Sequence, residues 1–275
     1  MKKTRKTIMF MLGILTAGTL TLSAQNFQGI ATYQSVRKTG RISEGANISP
    51  EILKQAQENL KRMGQKEYEL KFNLTESTWA EVESLEPITT SESVNGVGVS
   101  SFGRGIKYKN NENFLYINQS EVFGKLFLVK DTLKNYEWEL TNDTKKIGGY
   151  NAKKAILTEI VQRRVISFNN TENQEVTRTD SVKMEAWFTP EIPVSQGPDE
   201  FWGLPGLIME MSDGKTTYLC TKIVLNPQEG VKIQKPSKGK KVTSEELKAI
   251  IDQKSKEMLE QFLQGGGSKV KIGGD

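Results

Sequence analysis

From Ile106 to Leu225 the chain offers one short apolar segment after another, with turn residues between them and no helix-length spacers. Asn113 to Ile117, Phe123 to Val129, Ala152 to Ile160, Val182 to Phe188, Leu207 to Met211 and Thr216 to Leu225 each have strand length. A parallel βαβ arrangement needs a crossover of about a dozen or more residues between strands. Most of these connections are shorter, so the run predicts an antiparallel sheet. Asp213-Gly214 reads as a two-residue hairpin turn, and Lys145 to Tyr150 as a turn built on Gly148 and Gly149.

One segment sharpens this expectation. Val182, Met184, Ala186 and Phe188 share one face of a strand, and Lys183, Glu185 and Trp187 share the other. Trp187 therefore faces away from the main apolar side. A sheet apolar on both faces needs a second cover, from a helix, a ligand or a partner.

The flanks add less regular signals. Phe27 to Val36 reads as a strand, and residues 66–82 as one strand with Tyr68, Leu70, Phe72 and Leu74 at period two. Between them, Ser49-Pro50 starts a helix expected over about 50–63. Residues 86–105 read as a Gly/Ser-rich loop. Residues 231–241 read as a basic linker, and Thr243-Ser244-Glu245-Glu246 as a capping box. Leu247, Ile250, Ile251, Met258 and Phe262 then mark an amphipathic helix that packs on or near the sheet. The predicted architecture is mainly β (α+β): a curved antiparallel sheet or open half-barrel with two main helices. The β-rich domain covers residues 25–230.

Residues 1–24 read as a cleaved signal peptide. Lys2, Lys3, Arg5 and Lys6 precede an apolar run ending at Ser23-Ala24. The whole chain has 38 basic and 33 acidic residues, and the leader holds four of the basic ones. The expected mature chain is thus nearly neutral, at +1, which argues against nucleic-acid binding through basicity. Membrane association is expected to be peripheral at most.

The chain has one cysteine, Cys220, and no histidine. Ser-His-Asp and Cys-His catalysis and the usual zinc and iron sites are therefore excluded. Asp199, Glu200 and Glu210 are the nearest approach to a catalytic carboxylate set. The first two are adjacent after Pro198 and read more naturally as decoration of a helix N-terminus. No catalytic residue, metal site or cofactor is expected.

The most distinctive stretch is Phe201-Trp202-Gly203-Leu204-Pro205-Gly206-Leu207-Ile208. Proline followed by glycine predicts a four-residue turn with positive φ at Gly206. Trp138, Tyr150, Trp187, Phe201, Trp202, Leu204 and Leu207 are the candidate binding residues. Gly148, Gly149, Gly203, Pro205 and Gly206 are the candidate structural positions. The aromatic members could fill the space between sheet and helices, or line a cavity for a hydrophobic ligand.

The hexapeptide Gly203 to Ile208 resembles the signature of the GLPGLI family of exported Bacteroidetes proteins. Trp138-Glu139-Leu140, Lys146 to Tyr150, Lys154-Ala155, Ala186 to Thr189, Ile192-Pro193 and Gly197-Pro198 resemble its recurring blocks, in order. Ala152 departs from the pattern, since many relatives carry cysteine near there. The resemblance implies a periplasmic or outer-membrane-associated protein linked to TonB-dependent systems. The same blocks are similar to LolA-type carriers, which implies a half-barrel wrapped around helices. The implied function is non-enzymatic binding. The partner would be a hydrophobic small molecule or lipid, or alternatively an outer-membrane β-barrel; a carboxylate hydrolase is the third reading.

Overall fold

Twelve strands form one open sheet in the computed structural model, which describes residues 27–38, 51, 65–82, 102–168 and 173–264. The leader, most of the loop expected over 86–105 and the helix expected over 50–63 (Glu51 apart) lie outside those residues.

In chain order the strands are β1 (Gln28–Arg37), β2 (Gln65–Asn73), β3 (Glu76–Glu81), β4 (Phe102–Asn110), β5 (Leu115–Val122) and β6 (Lys125–Thr132). They continue with β7 (Glu139–Ile147), β8 (Tyr150–Phe168), β9 (Asn173–Thr189), β10 (Leu207–Ser212), β11 (Thr216–Leu225) and β12 (Lys240–Val242). Helix α1 follows at Ser244–Gln264. The order across the sheet is β12-β6-β5-β4-β3-β2-β1-β11-β10-β9-β8-β7. Every pairing is antiparallel except β12 with β6, which is parallel. The mainly β, unclosed sheet agrees with the fold expected from the strand run.

Local chemistry explains where the strands break. The strand expected over 66–82 is a hairpin, because the Asn73 side-chain oxygen accepts from the backbone N–H groups of Thr75 and Glu76. That Asx turn folds the chain back and leaves Leu74 exposed. Phe123 and Gly124 both take positive φ and turn β5 into β6, as Gly148 and Gly149 turn β7 into β8. The Asp213-Gly214 turn is one residue longer than expected: 213–215 separate β10 from β11, and Asp213 Oδ1 accepts from Lys215 and Thr216. The end of the expected linker, Lys240 and Lys241, forms the edge strand β12 together with Val242; three residues carry no periodic signal.

Helix α1 begins with the expected capping box. Glu246 N–H donates to Thr243 Oγ1 at 3.1 Å, and Thr243 N–H to Glu246 Oε2 at 2.9 Å. Its first turns dock on the sheet: Leu247, Ile250 and Ile251 pack against Val122, Phe127 and Val129. Met258 lies beyond that contact and is exposed. No helix among the described residues is long and apolar enough to cross a membrane.

Candidate functional site

The segment between β9 and β10 occupies the inside of the curve. Gln196 shows how tight that curve is. Its backbone oxygen accepts from Ile208 N–H on β10 at 3.0 Å, while its side-chain Oε1 accepts from Ser77 Oγ on β3 at 2.7 Å. β3 and β10 are four strand steps apart in the sheet, roughly 19 Å if it were flat. One glutamine can reach both only because the sheet curls over it. Gln196 and Ser77 are both fully buried.

Lys109 on β4 holds the same segment from another direction. Its Nζ donates to the carbonyl oxygens of Gly197 and Phe201, each at 2.8 Å, and the residue is 1% exposed. Burial lowers its pKa to about 7, against the partial support of Asp199 and Glu200. Asp199, at φ +54°, pairs with Lys107 and accepts from Tyr218 Oη at 3.4 Å. No helix follows it, so Asp199 and Glu200 do not decorate a helix N-terminus as expected. The left-handed turn instead aims Asp199 at the sheet.

The Gly/Pro corner closes the segment. Gly206 N–H donates to Leu204 O at 2.8 Å, so the turn is a three-residue γ-turn centred on Pro205 rather than the expected four-residue turn. Proline's fixed φ suits that centre. Gly206 is required for space: a Cβ there would lie 2.2 Å from Thr189 O. Gly203 is required for conformation, at φ +95°.

The predicted aromatic set divides in two. Trp138, Phe201, Trp202 and Leu204 join one cluster with Tyr136, Phe188 and Ile208. Trp138 Nε1–H donates to Trp202 O at 2.8 Å, and Trp202 Nε1–H to Lys134 O at 2.6 Å. Both indoles thus satisfy their N–H groups within the chain, and Tyr136, Trp138 and Phe201 pack ring against ring. Tyr150, Trp187 and Leu207 belong to the other cluster, with Ile192, Val194 and Met209. Trp187 carries Lys145 Nζ 4.2 Å from its ring centroid and Lys154 Nζ at 5.8 Å. The seven candidate residues therefore do not line one surface. The cover that the two-sided strand demanded comes largely from the chain itself.

The carboxylates are separated too. Glu210 pairs with Lys145 at 2.7 Å, beside Trp187, while Asp199 pairs with Lys107. Among the described residues no group of three or more acidic or cysteine side chains is placed to hold a metal. Cys220 is buried, and burial pushes its thiol up to about 12.

Two features escaped the sequence. One is Lys109 with its carbonyl partners; a lysine between Tyr108 and Asn110 gives no sign of burial. The other is a long arm. β8 pairs with β7 only as far as Ile156, and β9 pairs with β10 only from Glu185 onward. From Thr158↔Lys183 to Phe168↔Asn173 the two strands pair with each other without a third strand among the described residues. Ile160 on this arm is 78% exposed.

Comparison with known proteins is sparse. No curated protein matches the chain. Two solved structures of PNGF-II, in space groups C2 and P21, resemble it at 16% identity and a TM-score of 0.46 each. They cover 82% of this chain, which spans only about a third of their length, at 32% and 33%. They are not LolA-type carriers, and at that similarity they carry no argument about function. Residues 138–210, from the tryptophan of the indole hydrogen bond through the Gly/Pro corner, match a family described as "Protein of unknown function (Porph_ging)".

Proposed function

We propose that the protein is an exported, non-enzymatic accessory protein of the periplasm or outer membrane that binds a partner protein through the β8–β9 arm. The observation that carries this reading is the unaccompanied stretch from Thr158↔Lys183 to Phe168↔Asn173. At about 3.4 Å per residue its eleven pairs extend roughly 35 Å. A two-stranded ribbon of that kind is marginal by itself in water. Among the described residues no third strand pairs with its outer edges, which an added strand can complete. Ile160 supplies an exposed apolar anchor on the arm.

A carrier of hydrophobic ligands has less support. The inside of the curve, where such a ligand would sit, is taken by 190–206 among the described residues. A carboxylate hydrolase has less still, since Asp199 and Glu210 each hold a lysine and lie in different surroundings.

The test is a photo-crosslinking side chain at Ile160 in native envelopes, compared with one at Leu140, which is 57% exposed on β7. The reading expects one discrete protein adduct from position 160 and none from 140. Identical adduct patterns from both positions, or none from either, would count against it.

A further inference from the structure

A small cavity lies where the β6–β7 connection meets the first turn of α1. Tyr116, Asp131, Lys134, Tyr136, Glu200 and Ser244 contribute to its wall, and its volume is about 160 Å³. At about 30 Å³ per water this is room for a few waters or one small group.

The lining has a chemical bias. Tyr136 is 8% exposed, and its buried hydroxyl has no hydrogen-bond partner among the described residues. Such an orphan costs about 1–3 kcal/mol unless something completes it. Asp131 accepts from Ser244 Oγ and from Thr132 N–H, each at 2.7 Å, so the Ser244 donor is spent. The wall's one lysine, Lys134, is already paired with Glu159. Lys134 Nζ also lies 5.3 Å from the Tyr136 ring centroid. Two carboxylates, Asp131 and Glu200, the Tyr136 hydroxyl and the Tyr116 ring remain. Glu200 is exposed as a residue, but partial loss of water around its carboxyl and the neighbouring Asp199 raise it above the ordinary range, with Lys107, Lys134 and Lys109 opposing only in part. The surplus in this wall is of negative charge and acceptors.

We propose that this cavity binds a primary ammonium group, from a free amine or from a lysine side chain of another polypeptide. The Tyr136 hydroxyl oxygen and the two Glu200 oxygens offer three acceptors to a –NH₃⁺, and an aromatic ring (Tyr116) beside carboxylates favours a cation over a neutral group. Tyr136 Oη and the Glu200 carboxylate are the contacts assigned to it.

The probes are ethylammonium, its neutral counterpart ethanol, and a blocked lysine amide with blocked norleucine as its neutral counterpart. Binding is read by NMR shifts of the Tyr136 ring and the Trp202 indole, at constant ionic strength set with potassium chloride. The wild-type chain is expected to give saturable shifts with ethylammonium and none with ethanol. Glu200→Gln should raise Kd at least tenfold, and Tyr136→Phe about threefold or more, with both variants keeping the wild-type thermal midpoint within a few degrees. Saturation by the lysine amide as well assigns a polypeptide lysine, and saturation by ethylammonium alone assigns a free amine. Shifts that fail to saturate, that potassium reproduces, or that survive both substitutions unchanged overturn the proposal.

Discussion

The ammonium of Lys109 donates to the carbonyl oxygen of Phe201, 92 residues later in the chain, at 2.8 Å. With its second bond, to Gly197 O, it ties β4 to the β9–β10 segment from inside the protein. Replacing Lys109 with Met keeps the apolar stem and removes both donors. The two carbonyls would be left buried at about 1–3 kcal/mol each, partly offset by relief from burying an amine. The expected net loss is about 2–4 kcal/mol, measured by urea denaturation at pH 7.5.

The same lysine gives stability a pH signature. Its folded pKa, about 7, lies below the ordinary lysine value. Between those values the unfolded chain binds more protons, so stability rises with pH above 7. The tyrosines act oppositely. Tyr68 and Tyr108 are pushed up to about 12, chiefly by burial, and Tyr33, Tyr116, Tyr136 and Tyr218 are raised as well. Above about 10 the unfolded chain loses tyrosine protons that the folded chain keeps, and stability falls. Urea midpoints are expected to peak between about pH 9 and 10, and the rise above pH 7 should disappear in Lys109→Met.

Gly206 and Gly124 separate two reasons for glycine. A Cβ at Gly206 would meet Thr189 O at 2.2 Å and its carbon at 2.5 Å, and main chain cannot swing aside. Gly206→Ala should cost about 3 kcal/mol or more. Gly124, at φ +72°, has nothing within 4 Å. Gly124→Ala should cost about 1–2 kcal/mol from conformation alone. Equal thermal shifts for the two variants would contradict the close-approach argument.

Ser77 and Gln196 form a buried pair, and Gln196 Nε2 has no hydrogen-bond partner among the described residues. Ser77→Ala strands the glutamine oxygen and should cost about 1–3 kcal/mol. Adding Gln196→Met removes the remaining polar atoms and should recover most of that loss. Additive losses in the double variant would show that the pair does not hold the curve.

The strand run, the hairpin turns at Gly148-Gly149 and the capping box at Thr243 were legible because each rests on residues close in sequence. The two faces of β9 were legible from the alternation of Met184, Ala186 and Phe188 with Trp187. What covers those faces was not. The inner face is covered by 190–206 because the sheet curls, and the curl depends on partners such as Ser77 and Gln196, 119 residues apart. The γ-turn at Pro205 is not distinguishable in sequence from a four-residue turn, because both use the same Pro-Gly pair. The hairpin at Asn73 was hidden by Leu74, which continues the apolar period although it lies in the turn.

Residues 190–206 act as the fixed filling of the curved sheet rather than as a loop that opens for ligand. Amide hydrogen exchange tests it at Leu207 and Ile208, whose N–H groups donate to Ile192 O and Gln196 O at 3.0 Å each. Their exchange is expected to be as slow as that of the β1 amides, governed by global unfolding. Fast exchange at 207 and 208 while β1 stays protected would contradict it.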